Sequence, residues 1–450
     1  MFRLFDSLKT FPKGGVHPPE NKFSAGAAIE ELPLPKMVHI PISQHIGAPS
    51  EPVVERGEAV KVGQIIAKSA GFVSANIHSS VSGKVAKIQN MIDSSGFVRT
   101  VISVRVKGDD WEESIDRSPD LVKEISIEAK DIIQKTLDNG IVGLGGAAFP
   151  SHVKLSVPRG KKAEYLILNG VECEPYLTAD HRLMLEKADE IMVGAQILMK
   201  ALDVTKCIVG IENNKLDAIE VMSQKAKDYE GISVQALKVQ YPQGGEKQLI
   251  KAVINREVPS GGLPIDVGAV VHNVGTTYAV YQAVQKNKPL LERVVTLTGK
   301  SVSKPSNFMV RIGTPISELI EAAGGLPEDT GKIISGGPMM GKALTSTDIP
   351  VAKATSGVLI IPENESRRGV VEACIRCSKC VGVCPMGLEP YLLMTQGEKA
   401  MFEESENDRV MDCIECGSCV YECPSNRPLL DWIRLSKVKV NTIRKERAKN

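Results

Sequence analysis

The sequence is short of aromatic residues. Phe, Trp and Tyr make up 4% of its 450 residues, too few for the stacking platforms that hold single-stranded nucleic acids. It also lacks an excess of charge of either sign. Its 55 Lys and Arg stand against 54 Asp and Glu, so no basic field exists to hold a polyanion, and nucleic acid is not an expected partner. No apolar run reaches the ~18 residues that cross a bilayer as a helix. The opening segment, MFRLFDSLKTFPKGG, shows no apolar stretch followed by a small-residue cleavage site, so no secretory signal is expected. The cysteines are then expected in a reducing compartment, where clustered thiols bind metal more often than they form disulfides.

What is present is sulfur concentrated near one end. Eight of the ten cysteines lie from Cys374 onward. The other two, Cys173 and Cys207, are isolated, and Cys207, in the apolar run CIVGI, reads as a small buried hydrophobe. The eight fall in two copies of C-x₂-C-x₂-C-x₃-C-P, CIRCSKCVGVCP (374–385) and CIECGSCVYECP (413–424). A cubane [4Fe–4S] cluster needs four thiolates at tetrahedral corners. One tight loop supplies three, and in two-cluster ferredoxins the fourth Cys of each run ligates the other cluster. The spacing therefore predicts one cluster on Cys374, Cys377, Cys380 and Cys423, and a second on Cys413, Cys416, Cys419 and Cys384. A Cys₄ zinc site needs only four ligands and leaves two tandem runs unexplained. The spacer LEPYLLMTQGEKAMFEESENDRVMD reads as helical, which makes this an α-helical ferredoxin-type domain. Such a domain carries single electrons in series and does no bond chemistry itself.

A chain of 450 residues exceeds one ordinary core, and about two to four domains are expected. The first 30 residues, with FPKGGVHPPENK, read as an extended arm. VHIPI, EAVKVGQIIA, NIHSSVSGKVAKI and TVISVRV alternate as strands do. RGEAVKVGQIIA and IHSSVSGKV resemble biotinyl- and lipoyl-type sandwich domains, but the hairpin that would carry the cofactor lysine, SAGFVSANI, has none. DDWEESIDRSPD is a charged linker. SIEAKDIIQKTLDNG reads as an amphipathic helix stopped at Asn139-Gly140. AEYLILNGV and CIVGIE read as buried strands, and RLMLEKADEIMVGAQILMKAL as helical. RVVTLTGK and MVRIGTPISELIEAAGG suggest a small strand–helix module. The closing segment holds seven Lys and Arg in its last 17 residues, a solvated helix face or a docking contact.

Within the α/β region, NGIVGLGGAAFPSHVK (139–154) places Gly143, Gly145 and Gly146 where backbone N–H groups could approach a phosphate or a flat ring. As a dinucleotide fingerprint it is weak, because it follows a helix and Ala148 stands at the last glycine position. A tight structural turn is the alternative. LNGVECEP ends a buried strand with Asn169, Glu172 and Glu174 at its C-terminal tip, the place where α/β sheets bind ligands. YPQGGEKQLIKAVI sets Gly244-Gly245 at a helix start, and HNVGTT (272–277) offers another donor-rich turn.

In these motifs the sequence resembles a known family. GLGGAAFPSHVK is similar to the flavin-binding GRGGAGFPTGxK motif of the NADH-binding flavoprotein subunit of respiratory complex I and related hydrogenases. NGVECEP resembles that family's NADESEP, YPQGGEKQL its YxxGEExAL and HNVGTT its NNVET. The matches fall in order, and the module at about 290–345 resembles the β-grasp domain that follows there. The arm, the lysine-less sandwich and the double four-Cys domain extend the resemblance across essentially the whole chain to the C subunit of the Rnf ion-translocating electron-transport complex.

The resemblance implies a multidomain α/β chain. An N-terminal arm (1–30) leads to a lipoyl-like β-sandwich (31–110) and a central α/β FMN/NADH-binding domain (120–285). A β-grasp, SLBB-like module (286–350), a double [4Fe–4S] α-helical ferredoxin domain (365–435) and a basic tail (436–450) follow. It implies FMN at Gly143, Gly145, Gly146, Lys154, Asn169, Tyr241, Gly244, Gly245, Asn273 and Thr276, with Lys154 facing phosphate. Phe149 would stack near the nicotinamide, and Glu172, Glu174 and Glu246 would bind the dinucleotide. Catalysis would be borne by the cofactors, with no side chain as nucleophile or acid–base. Three positions depart from the family pattern: Leu144 for Arg, Val171 for Asp and His272 for Asn, which makes the pocket less polar. The implied activity is electron transfer between NAD(H), FMN and two [4Fe–4S] clusters in a ferredoxin:NAD⁺ oxidoreductase that moves ions. The implied partners are the complex's membrane subunits, its ferredoxin-type subunit and, indirectly, soluble ferredoxin. The implied location is peripheral, on the cytoplasmic side of the bacterial inner membrane. A wiring subunit with a purely structural α/β pocket and a cobalamin-reductase-like flavoprotein are the alternatives.

Overall fold

The computed structural model describes residues 8–448. The first seven residues of the expected arm and the last two of the expected tail lie outside them.

Two antiparallel sheets form the sandwich. One is ordered Met37–Pro41, Val98–Val106, Gly83–Ile92, Ala59–Val60, and the other Glu51–Pro52, Ile65–Lys68, Ile77–His78. Val38, Ile40, Ile66, Ile77, Ile102 and Val104 fill the space between them, the inward residues of alternating strands. The lysine-less hairpin is pinned to the next domain. His152 Nε2 donates to the Phe72 carbonyl at 2.9 Å, and Asn76 Nδ2 donates to the Asp138 carbonyl at 3.3 Å. A swinging carrier needs a free tip, and this hairpin is tied by hydrogen bonds to residues on either side of the Gly-rich loop.

The central domain is built on four parallel strands ordered Ile232–Leu237, Cys207–Glu212, Tyr165–Asn169, Ala269–Asn273. Alternate residues of one strand enter different cores. Leu166 and Leu168 pack on the face covered by helices Ala129–Asp138, Ala188–Leu202 and Val274–Gln285. Ile167 packs on the opposite face with Leu249 and Val253 of helix Glu246–Ile254. Cys207 is fully buried in the first core. The first helix ends as its sequence predicts, with Gly140 at φ 62°. The segment read as helical over 182–202 is two helices, Ala179–Glu186 and Ala188–Leu202, broken at Lys187.

The third module is a six-stranded mixed sheet ordered Ile29–Glu31, Ser306–Arg311, Glu292–Gly299, Gly357–Pro362, Thr330–Ser335, Lys342–Ala343, with helix Ile316–Ala322 packed on it. The limits 286–350 thus omit two strands. Ile29–Glu31 comes from the arm and pairs in parallel with Asn307–Met309, while Gly357–Pro362 is buried between two neighbours.

The cysteine domain shows its internal repeat in the backbone. Arg376 and Ser378 in the first run, and Glu415 and Gly417 in the second, all have left-handed φ, at 56°, 58°, 58° and 81°. Gly387 and Asn426, each three residues after a crossing cysteine, are also left-handed. Non-glycine residues hold that conformation only where the surroundings impose it, and here both copies impose it at matching positions. The spacer is helical over Pro390–Glu398 and Phe402–Asn407. The basic tail is not a separate element. Helix Leu429–Arg447 runs through residue 436, with Leu429, Leu430, Ile433 and Val440 buried and Arg444 and Arg447 paired with Glu406 and Glu403.

Candidate functional site

The Gly-rich loop closes on itself through Gly143 N–H, which donates to the Phe149 carbonyl at 2.9 Å. Between them Gly145 and Gly146 are exposed, and Gly146 has φ 115°, a conformation that needs glycine. The loop lies over the C-terminal ends of the central strands. A Cβ on Gly145 would come 3.4 Å from the Asn273 side chain. Leu144 N–H donates to Thr276 Oγ1 at 2.8 Å.

Asn273 is the hub. It ends its strand and caps helix Val274–Gln285, its Oδ1 accepting from Gly275 N–H at 2.9 Å and Thr276 N–H at 3.3 Å. Its Nδ2 donates to Asp180 Oδ2 at 2.7 Å. On the neighbouring strand Asn169 Nδ2 donates to the Gly244 carbonyl at 2.9 Å, tying in the Gly244-Gly245 turn that opens helix Glu246–Ile254. Lys154 Nζ donates to Glu246 Oε1 at 2.6 Å and to the Val271 carbonyl at 3.0 Å. The segments that carry Gly143, Gly145, Gly146, Lys154, Asn169, Gly244, Gly245, Glu246, Asn273 and Thr276 are thus tied together at the sheet's C-terminal edge. In the two segments that flank it, Gln243 Nε2 and His272 Nε2 are buried without a partner. Buried polar atoms usually have a partner, from the protein or from ordered water, so these two are free to meet a water or a ligand. Burial, and then Lys154, push His272 down to about 3, so its ring is neutral and one nitrogen can accept or donate.

Three expected residues point elsewhere. Glu172 accepts from Asp180 N–H and His181 N–H at 2.8 and 3.1 Å, capping helix Ala179–Glu186. Glu174 accepts from Met339 N–H and Met340 N–H at 3.1 and 2.8 Å, and burial pushes it up to about 7. Tyr241, adjacent to the Gly244-Gly245 turn, donates from its hydroxyl to the Cys416 carbonyl at 2.8 Å. Phe149 is half-buried and holds the loop through its backbone.

Sequence reasoning missed the supports. Asp180 orients Asn273, and its carboxyl is raised by burial and by the Glu172 carboxylate beside it. Lys22, from the arm, donates to the carbonyls of Glu172, Glu174 and Leu177 at 2.9, 2.8 and 2.6 Å and so braces the whole NGVECEP turn. Burial lowers it to about 8. Buried Lys353 donates to the carbonyls of Asn76 and Gly140 at 3.1 and 2.7 Å, locking sandwich to central domain. None of these has a spacing that marks it.

The thiols gather as two sets. Cys384, Cys413, Cys416 and Cys419 line one apolar cavity with Leu388, Ile414 and Leu430. Burial pushes Cys413 up to about 11, with Cys416 and Cys384 adding to the shift. Cys380 is raised by burial and by the neighbouring Cys423 and Cys377. Three thiols of the second run thus meet the fourth of the first, and the fourth of the second run lies by the first. This donor set fits two thiolate-bound clusters, whose binding would release the protons that burial retains. Cys374 and Cys377 are exposed. Among the described residues no helix is long and apolar enough to cross a membrane.

Family models match the chain in the same order. The RnfC Barrel sandwich hybrid domain covers residues 9–109, the Nuo51 FMN-binding domain 137–282, the SLBB domain 294–343 and the 4Fe-4S dicluster domain 368–424. The C subunit of the proton-translocating ferredoxin:NAD(+) oxidoreductase complex of Clostridium ljungdahlii is 49% identical over 435 residues, 96% of this chain and 94% of that one. Its counterpart in the Na(+)-translocating complex of Acetobacterium woodii is 45% identical, over 94% of this chain and 96% of that one. The counterpart in the ion-translocating oxidoreductase complex of Rhodobacter capsulatus is 40% identical, over 97% and 85%. The order of domains, the thiol sets and these identities together place the chain in the family of C subunits of ion-translocating ferredoxin:NAD(+) oxidoreductase complexes.

Proposed function

We propose that the cleft around Asn273 holds FMN and admits NAD(H), and that the two thiol sets hold one [4Fe–4S] cluster each. As a member of this family, the chain carries electrons between NAD(H) and the rest of an ion-translocating ferredoxin:NAD⁺ oxidoreductase complex, with FMN and two [4Fe–4S] clusters as carriers. When bound, the flavin exchanges a hydride with nicotinamide and single electrons with the clusters.

The chain's own residues bind, orient and exclude water. Gly145 and Gly146 keep the loop free of side chains where a ring or phosphate would lie. Lys154 and the N-terminal end of helix Glu246–Ile254 supply positive potential for a phosphate. Asn273, fixed by Asp180 and by its capping bonds, presents a set geometry, with Asn169, Gly143, Gly244, Gly245 and Thr276 completing the wall. Phe149 and Glu246 face the dinucleotide. Glu172 and Glu174 serve it through the turn they tie down. Leu388, Ile414 and Leu430 keep water from the inner thiol set, Cys384, Cys413, Cys416 and Cys419.

The protein sits at the periphery of its membrane complex, on the cytoplasmic side. There it contacts the membrane subunits and the ferredoxin-type subunit, through which soluble ferredoxin is reached. The observation that carries this reading is the direct bond between the two halves, Tyr241 to Cys416. The test is anaerobic reconstitution followed by iron, sulfide and flavin counts. One flavin and about eight irons per chain support it, and a preparation that binds no flavin overturns it.

A further inference from the structure

The N-terminal arm runs through the seam between the central domain and the cysteine domain. Val16 and Tyr241 exchange both backbone bonds, N–H to carbonyl, at 2.8 and 2.9 Å. One residue earlier, Gly15 N–H donates to the Val383 carbonyl at 2.9 Å. Gln240 Nε2 donates to the Gly14 carbonyl at 2.7 Å. The arm thus bonds on one side to the segment leading into Gly244-Gly245 and on the other to the residue before Cys384. Val16, Tyr241 and Cys416 are buried in one small apolar cluster.

The fit leaves no room for a side chain. Gly14 and Gly15 have φ of 68° and 90°. A Cβ on Gly14 would come 2.6 Å from the Val383 oxygen and from the Cys384 carbonyl carbon. One on Gly15 would come 2.7 Å from Gln240 Nε2 and 2.9 Å from the Tyr241 oxygen. Two adjacent glycines that each need positive φ and close backbone approach are a spacer of minimal thickness.

We propose that Gly14-Gly15-Val16 is a positioning element for electron transfer, setting the gap between the flavin cleft and the thiol set of Cys384, Cys413, Cys416 and Cys419. The inference rests on the cofactor assignment above. The arm touches no reacting atom. It fixes how closely two domains approach, and small displacements of a donor and acceptor have large rate effects.

The test uses the full reconstituted chain with Gly14→Ala, Gly15→Ala and, as control, Gly26→Ala, where an added Cβ meets nothing within 4 Å. Rapid mixing with NADH follows flavin bleaching and cluster reduction separately. Gly14→Ala and Gly15→Ala are expected to keep the flavin and iron content, the bleaching rate and the cluster EPR line positions, while cluster reduction slows about tenfold or more. Gly26→Ala is expected to match the parent. In the protein before loading, amide exchange at Gly15 and Tyr241 is expected to quicken in Gly14→Ala. Cluster reduction at the parent rate in both variants overturns the inference, and so does loss of clusters in both with flavin retained, because the arm would then serve cluster binding and not the gap. Unchanged amide exchange also overturns it. If the parent itself shows no bleaching by NADH, the functional reading fails instead.

Discussion

The hydroxyl of Tyr241 donates a 2.8 Å hydrogen bond to the carbonyl of Cys416, and both residues are buried. Tyr241 lies three residues before Gly244 of the cleft, and Cys416 belongs to the inner thiol set. On the proposed assignment, the cluster held by Cys384, Cys413, Cys416 and Cys419, the inner one, is the one next to the flavin. The outer set, with Cys374 and Cys377 exposed, is the one that meets the solvent side.

That order separates two cysteine variants. Cys384→Ser lies in the first run but lines the cavity of the second, so it removes the inner cluster and cuts the outer one off from NADH. Cys423→Ser removes the outer cluster and leaves the inner one reducible. Both variants should retain roughly half the iron. EPR of NADH-treated samples should show no cluster signal for the first and one for the second. The reverse pattern contradicts the crossed assignment.

Lys154→Met should weaken FMN binding roughly tenfold, the loss expected for one charged hydrogen bond. It also leaves Glu246 without its 2.6 Å partner, adding a negative charge where a phosphate would lie. Flavin fluorescence titration of unloaded protein measures this, and an unchanged dissociation constant contradicts the role given to Lys154.

Much of the site was legible because its chemistry constrains spacing. Four thiols in each run must reach two clusters, so their positions are fixed in sequence as well as in space. Asn169 was legible because a strand end is marked by where an apolar run stops, and Asn273 because HNVGTT resembles a family motif. What was hidden depends on distant pairing. Ile29–Glu31 is a strand only because it finds Asn307–Met309, and no local pattern announces that. Glu172 and Glu174 look like ligands at a strand tip, but backbone N–H groups from helix Ala179–Glu186 and from Met339 and Met340 claim their oxygens. Lys22 and Lys353 satisfy carbonyls of other domains, so their neighbours in sequence say nothing of their role.

His272 supplies a test of the less polar pocket. Its folded pKa, about 3, lies below the ordinary 6.5 because of burial and Lys154. The unfolded chain therefore binds a proton that the folded one refuses. Stability from this group is complete above pH 6.5 and falls as pH drops toward 3, by about 1.4 kcal/mol per pH unit. His272→Asn, the residue of the resembled family, should show a shallower fall in thermal midpoint across that window in unloaded protein. Equal slopes for parent and variant contradict the burial of a neutral ring.

Tyr241→Phe removes the bond between the two halves while keeping the ring. It should slow cluster reduction more than flavin bleaching, read by rapid mixing with NADH. Equal slowing of both phases would instead assign Tyr241 to the flavin step alone.

The most direct measurement is an anaerobic NADH titration of the reconstituted chain, followed by visible and EPR spectra. One bound flavin is expected to bleach, followed by two distinct cluster signals, the inner one appearing first. Flavin that stays oxidised, or bleached flavin with both clusters left oxidised, would contradict that expectation.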